Sequence, residues 1–120
     1  MKYADMFIKS EEFTVYNAGE IIVNIGDPGN EQMFAVKEGE VEISAESGAV
    51  LETVEAGMIF GEMALIDGLP RASRCVAKTD CKIVTIDKHR FLYLVHETPT
   101  FALEVMKVLA DRVRYLNSQM

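Results

Sequence analysis

The sequence predicts an α+β fold, an antiparallel, jelly-roll-like β-roll of about eight strands followed by two helices. Short apolar runs separated by turn residues fill most of the chain, at the close spacing typical of an all-β roll or sandwich. After about residue 87 the apolar residues recur every three or four positions, which is the period of a helix. We therefore expect one domain over residues 1–120, with the roll at about 12–87 and the C-terminal helices at about 88–117.

Eight apolar runs are predicted to be strands, because segments rich in Gly, Asp, Asn and Pro separate them. They are Phe13–Tyr16, Ile21–Ile25, Met33–Lys37, Val41–Ala45, Val50–Val54, Ile59–Phe60, Cys75–Ala77 and Lys82–Ile86. A short amphipathic helix is expected before them, around Ala4–Ile8.

Two helices are predicted after the roll. Asp87 is a suitable N-cap for the first, and Pro99 suits the first helical position of the second, which runs to about Asn117. The apolar residues of the second helix form two stripes, a face too wide for a helix that rests on one surface. The stripes are Ala102, Met106, Leu109, Val113 and Leu116, and beside them Phe101, Val105, Val108 and Tyr115.

The wide apolar face has two interpretations. One stripe packs on the roll while the other covers a ligand, or the regular spacing from Ala102 to Leu116 forms the seam of a homodimer through the helix at about 99–117.

Composition narrows the class of protein. Apolar residues make up 49% and charged residues 26%, as in an ordinary globular domain. The net charge of −7 and the lack of a Lys/Arg block argue against nucleic-acid binding by this chain alone. No apolar run approaches a membrane span, and the N-terminus lacks a signal-peptide pattern, so we expect a cytoplasmic protein with no membrane contact.

The cysteines and histidines do not predict a metal site. Cys75 and Cys81 lack the spacing of a metal site and are predicted to be free thiols. Cys75 is expected to face into the roll. His89 and His96 lie on or near the first C-terminal helix and are expected to face solvent.

The stretch FGEMALIDGLPRAS, residues 60–73, is the candidate site. Glu62 follows Gly61 and opens a short helical turn, whose exposed N–H groups suit an anion such as phosphate. Arg71 returns after a Gly-Leu-Pro turn, and its guanidinium matches phosphate oxygens. Ser73 adds a hydroxyl and an N–H group.

Glu62 would repel a bare phosphate. The conflict is resolved if the ligand joins a phosphate to a sugar, since Glu62 then accepts hydrogen bonds from the sugar while Arg71 binds the phosphate. The residues alone leave a second interpretation open, in which Glu62 and Arg71 form an ordinary ion pair between two turns.

The pattern FGE-x-AL-x-x-x-x-PRA-S closely resembles the phosphate-binding cassette of the cyclic nucleotide-binding domain family. That family includes the regulatory subunits of cAMP-dependent protein kinase, the bacterial catabolite activator proteins and cyclic nucleotide-gated channels. The resemblance extends along nearly all 120 residues. It includes the segments 18–22, 34–41, 77–82 and 86–87.

The resemblance implies roles for particular residues. Glu62 would accept from the ribose 2′-hydroxyl, and Arg71 would bind the cyclic phosphate. Ala72 stands where a Thr or Ser favours cGMP in the family, so cAMP is the favoured ligand and cGMP the other possibility. Backbone groups would complete the cradle at Gly61, Met63, Ala64, Ala72 and Ser73.

Three further side chains belong to this interpretation. Arg112 or Tyr115 of the last helix is the candidate for stacking on the base. Arg74, as a strand residue, is expected to point opposite Ser73, out to solvent.

The resemblance implies a regulatory module and no catalytic residues. Cyclic nucleotide binding would re-pack the C-terminal helices and signal to an unidentified effector protein, whether the module acts alone or within a larger chain. One alternative is a degenerate domain that serves only protein contact or dimerisation. The other is a cupin-like enzyme, which would need metal-binding histidines on strands.

Overall fold

A computed structural model describes residues 6–119 of the chain. The chain divides into two compact units, the first ending at Lys88 and the second beginning at His89. In the described part of the chain, no helix is both long and apolar enough to cross a membrane.

The first unit contains eight antiparallel strands, so the predicted β-roll is confirmed, with half of the strand ends shifted by one or two residues. The strands are β1 (Thr14–Tyr16), β2 (Ile21–Val23), β3 (Gln32–Glu38), β4 (Val41–Ser44), β5 (Val50–Val54), β6 (Ile59–Phe60), β7 (Arg74–Ala77) and β8 (Cys81–Asp87).

The strands form two sheets of four. One sheet has the order β1-β8-β3-β6 and the other β2-β7-β4-β5. The longest pairing joins β3 to β8, from Gln32 opposite Asp87 to Glu38 opposite Lys82. Strands distant in the sequence are therefore neighbours in both sheets.

The main apolar core contains residues from both sheets. Its aromatic centre is Phe34 of β3 stacked on Phe60 of β6, with ring centroids 5.2 Å apart. The other buried members are Val23, Val36, Val41, Ile43, Val54, Cys75, Ala77, Cys81 and Ile83. Because alternate residues of a strand face one side, this pattern fixes which face of each strand points inward.

Both cysteines are free, as predicted, and both are buried, which the sequence predicted for Cys75 alone. Cys75 is a member of the core. Burial raises the pKa of the Cys81 thiol. The thiol donates to the carbonyls of Glu40 and Thr79, at 3.1 and 3.2 Å. Both side chains therefore pack as small apolar groups.

Three helices have defined bounds. We label them α1 (Glu62–Asp67), α2 (Lys88–Glu97) and α3 (Thr100–Ser118). Residues 6–8 are helical as well, and the beginning of the predicted N-terminal helix, Ala4 and Asp5, lies outside the described residues. Asp87 directly precedes α2 but is the last residue of β8.

The predicted start of α3 needs a correction of one residue. Pro99 is the N-cap, with φ −54° and ψ −32°, and Thr100 is the first helical residue. The cause is a tight first turn, in which Phe101 N donates to Thr98 O and Ala102 N to Pro99 O, three residues back.

The two apolar stripes of α3 differ in burial. Phe101 and Val105 are buried, and the Phe101 ring lies 5.7 Å from that of Phe91 on α2. Met106 and Val113 of the other stripe are each more than half exposed. One stripe therefore packs and most of the other faces solvent.

Candidate functional site

The candidate cassette is a short helix with a glycine at each end. Gly61 precedes α1 with φ 74°, and Gly68 follows it with φ 69°. Glycine adopts these left-handed angles without the steric cost of a Cβ atom. The chain can therefore leave β6, make one short helix and turn back within a few residues.

Glu62 and Arg71 are the two buried charged side chains among residues 6–119, with exposed fractions of 1% and 8%. A buried charge is costly unless polar partners compensate for the lost water. Surface ion pairs contribute little and need no such burial. The burial of both charges at one cassette therefore favours a ligand site over an ordinary ion pair.

The guanidinium of Arg71 donates to three carbonyl oxygens. Nη1 bonds Gly61 O at 2.9 Å, and Nη2 bonds Gly29 O at 3.0 Å and Gln32 O at 2.9 Å. The group also lies 5.2 Å from the centroid of the Phe34 ring. The position of the charge is thus fixed by backbone atoms from two separate segments.

Two donors of the guanidinium are left over. Arginine has five N–H donors, and the three bonds to carbonyls use both on Nη2 and one on Nη1. Nε and the second N–H of Nη1 have no acceptor within the described residues. These two donors are suited to oxygens of an anionic ligand.

Burial lowers the pKa of Arg71, and the nearby carboxylates of Asp27 and Glu62 oppose that shift. An arginine remains protonated in proteins, so the site keeps its positive charge. The Oε2 atom of Glu62 is buried and accepts no hydrogen bond in the described part of the chain, although Glu62 makes other interactions.

The other predicted contacts lie on the same two short segments. Ala64 is buried, Gly61 and Ser73 are half-buried, and Met63 and Ala72 are exposed. The Arg71–Gly61 hydrogen bond joins segment 61–64 to segment 71–73. The structure therefore brings the ends of the two segments together.

Arg74 is exposed, as expected. Its Nε also donates to Asn24 Oδ1 at 3.1 Å, a contact that the sequence did not predict.

The sequence also did not predict the role of the loop at residues 24–32. Arg71 N donates to Asp27 O, and Gly26 N donates to Arg71 O, each at 2.9 Å. With the carbonyls of Gly29 and Gln32, this loop holds both the backbone and the side chain of Arg71. Every residue has a backbone carbonyl, so the sequence does not indicate which carbonyls bind Arg71. The turn residues Gly26–Asn30 were the available sign of a loop here.

An open pocket of about 540 Å³ lies beside the cassette. It is lined by Gly26, Pro28, Gly29, Asn30, Glu31, Gly68 and Pro70, and so by none of the predicted ligand residues. Its one charged side chain, Glu31, is exposed and forms an ion pair with Lys88 at 3.2 Å. We therefore keep the two buried charges, and not this pocket, as the candidate site.

The base-stacking candidates lie in the second unit. Arg112 and Tyr115 are on α3, three residues apart and so on one face of the helix. Arg112 is half-buried and Tyr115 is 50% exposed. Their contact with a base stays a prediction.

His89 and His96 are both exposed on α2. Residues 6–119 contain no group of three His, Cys, Asp or Glu side chains placed to hold a metal ion. The described residues thus do not form the metal site of a cupin.

Comparison with known proteins identifies the family. Residues 13–98 match the model of the cyclic nucleotide-binding domain. The cAMP-dependent protein kinase regulatory subunit of Schizosaccharomyces pombe is 40% identical over 64% of the chain. A cGMP-dependent protein kinase of Caenorhabditis elegans is 35% identical over 62% of the chain.

The structure of the chain is also similar to that of a solved protein. The catabolite activator protein of Thermus thermophilus superposes with a TM-score of 0.82 over 98% of this chain, at 25% identity. The chain therefore belongs to the cyclic nucleotide-binding domain family. It spans 18% of the yeast subunit, 9% of the nematode kinase and 57% of the catabolite activator chain.

The two glycines of the cassette allow a test of its packing. A Cβ atom at Gly61 would lie 3.0 Å from Arg71 Nη1 and 3.2 Å from Phe34 Cδ2, whereas one at Gly68 would meet nothing within 4 Å. In both alanine variants, the left-handed backbone angle should lower the free energy of unfolding by about 1–2 kcal/mol. In urea unfolding, we expect the free energy of unfolding to fall further for Gly61→Ala than for its control, Gly68→Ala. Equal losses would contradict the close packing of Gly61 on Arg71.

Proposed function

We propose that this domain is a cyclic nucleotide sensor that prefers cAMP to cGMP. The observation that carries the proposal is the buried guanidinium of Arg71, which backbone carbonyls hold and which keeps two donors for a ligand. It lies in a cassette whose family binds cyclic nucleotides.

Arg71 would bind the cyclic phosphate. Charge-assisted hydrogen bonds to phosphate are stronger than neutral ones, and burial strengthens them because less water screens the charge. Since the carbonyls already order the side chain, little conformational entropy remains to be lost on binding.

Glu62 would accept a hydrogen bond from the ribose 2′-hydroxyl. A carboxylate is an acceptor with no donor of its own, so it selects a sugar hydroxyl and disfavours a second phosphate. Backbone groups of Gly61, Met63, Ala64, Ala72 and Ser73 would complete the cradle, as the resemblance implies.

Preference for cAMP rests on Ala72. Relatives of this chain are named for cAMP and for cGMP, so membership of the family leaves the base open. Ala72 is exposed and has no hydroxyl to bond the guanine amino group. This absence removes the contact that favours cGMP in the family.

The proposed output is a change in packing of α2 and α3. Arg112 or Tyr115 would stack on the base, and binding would favour one arrangement of the helices in proportion to its differential affinity. An effector protein would read that arrangement, and no catalytic step is assigned to the domain.

A second function, dimerisation, is favoured by one observation. Leu103, Met106, Val113 and Leu116 of α3 are each more than half exposed. Exposed apolar patches of this kind are typical of interaction sites. Pairing with a second copy is compatible with the sensor. It is also compatible with a degenerate domain that binds no ligand and serves only dimerisation.

Titration calorimetry with cAMP and cGMP tests the ligand. We expect wild type to bind cAMP more tightly, and Arg71→Ala to lose at least about 2 kcal/mol of cAMP binding because a charge-assisted phosphate contact disappears. Arg74→Ala is the matched control, since it removes an equal charge from an exposed residue. Weak and equal affinity for wild type and Arg71→Ala would refute the sensor.

Replacement of Ala72 tests the base preference. Ala72→Thr should raise cGMP affinity relative to cAMP by about threefold to tenfold, the contribution of one ordinary hydrogen bond. Ala72→Val has nearly the same shape without the hydroxyl and should leave the ratio unchanged. A similar change of ratio in both variants would exclude the hydroxyl as its cause.

Sedimentation at several concentrations tests dimerisation. Wild type should associate as concentration rises, and Met106→Glu should remain a monomer because it places a charge in the apolar stripe. Lys107→Glu, at an exposed neighbour outside the stripe, is the control. A wild-type monomer at every concentration would refute dimerisation through this stripe.

A further inference from the structure

Gly29, whose carbonyl accepts a hydrogen bond from Arg71, lies where the loop at residues 24–32 meets the cassette. We propose that Gly29 is the positioning residue of the phosphate site: its lack of a side chain sets the loop at the distance that holds Arg71 for binding. This inference rests on the proposed function.

The contact at Gly29 is too close for any side chain. A Cβ atom there would lie 2.6 Å from Leu69 O and 2.7 Å from Ala64 Cβ. Neither neighbour can swing aside, because one is a backbone oxygen and the other a methyl group of α1, buried to 5% exposure.

Glycine is required here for space and not for conformation. The described residues include seven glycines with positive φ, and Gly29 is not among them. An alanine could adopt the backbone angles of Gly29, so the close approach is what excludes it.

Gly29 also contacts the guanidinium of Arg71. Gly29 O accepts a hydrogen bond from Arg71 Nη2 at 3.0 Å, and Gln32 O, three residues on, accepts the second at 2.9 Å. Gln32 is the first residue of β3, where pairing with β8 holds it, so Gly29 O is the acceptor that a change at Gly29 would move directly.

The loop holds the Arg71 backbone too, through the paired bonds with Gly26 and Asp27. A side chain at Gly29 would push the loop from α1 and carry Gly29 O away from the guanidinium, while Gln32 O stays in β3. The guanidinium would lose its fixed direction while keeping its charge. Gly29 thus acts on the ligand through Arg71 and without touching it.

The test is a double-mutant cycle in the full chain, read by cAMP titration. Gly29→Ala should weaken cAMP binding about tenfold in the wild-type background, the size of one weakened charge-assisted bond. In the Arg71→Ala background the same change should have less than about a twofold effect, because coupled sites are non-additive. A general loss of structure would instead weaken both backgrounds equally, and that result would overturn the proposal.

A second measurement needs no nucleotide. Guanidinium N–H signals of Arg71, assigned by their loss in Arg71→Ala, should be resolved in the ¹⁵N–¹H NMR spectrum of wild type and broadened in Gly29→Ala. Gly19→Ala is the control, since a Cβ atom there meets nothing within 4 Å. Unchanged Arg71 signals in Gly29→Ala would overturn the positioning role.

The two readouts separate the two proposals. If wild type binds neither cAMP nor cGMP but the Arg71 signals broaden, the proposed function fails while the positioning role stands. If Gly29→Ala does not fold, Ala64→Ser adds one atom to the other side of the same contact and should broaden the same signals. Normal signals in folded Ala64→Ser would then count against the inference.

Discussion

The hydrogen bonds from the Arg71 guanidinium to three backbone carbonyls are the interaction on which the candidate site depends. Carbonyl groups are neutral, so they orient the guanidinium and replace its water without cancelling its charge. A carboxylate in the same place would form a closed ion pair and leave little attraction for a ligand. The site is therefore arranged to keep a buried cation ordered and available.

The core of the roll and the site are continuous. Phe34 stacks on Phe60 between the sheets, and the Arg71 guanidinium lies 5.2 Å from the centroid of the same Phe34 ring. A close-packed interior resists small displacements. Because one ring belongs to both, the rigidity of the core extends to the charged group, and the short helix α1 does not have to supply it.

The sequence predicts those features of the fold and the candidate site that depend on residues close together in the chain. The eight strands were predictable because apolar runs and turn residues are local, and Glu62 and Arg71 because they share one short motif. The carbonyls of Gly29 and Gln32 were not, since any residue carries a carbonyl and only the fold brings it to Arg71. Pro99 was misplaced by one residue because a tight first turn depends on hydrogen bonds and not on residue type.

The strand order has a consequence for the newly made chain. Both β1 and β3 are hydrogen-bonded to β8, which ends at Asp87. Until that strand has left the ribosome, the first sheet lacks the strand that joins its parts, and apolar residues such as Met33 and Val36 have no completed sheet to cover them. Distant strand pairing of this kind slows folding and leaves edges open to aggregation. The chain therefore exposes apolar surface to chaperones and proteases until β8 has been made.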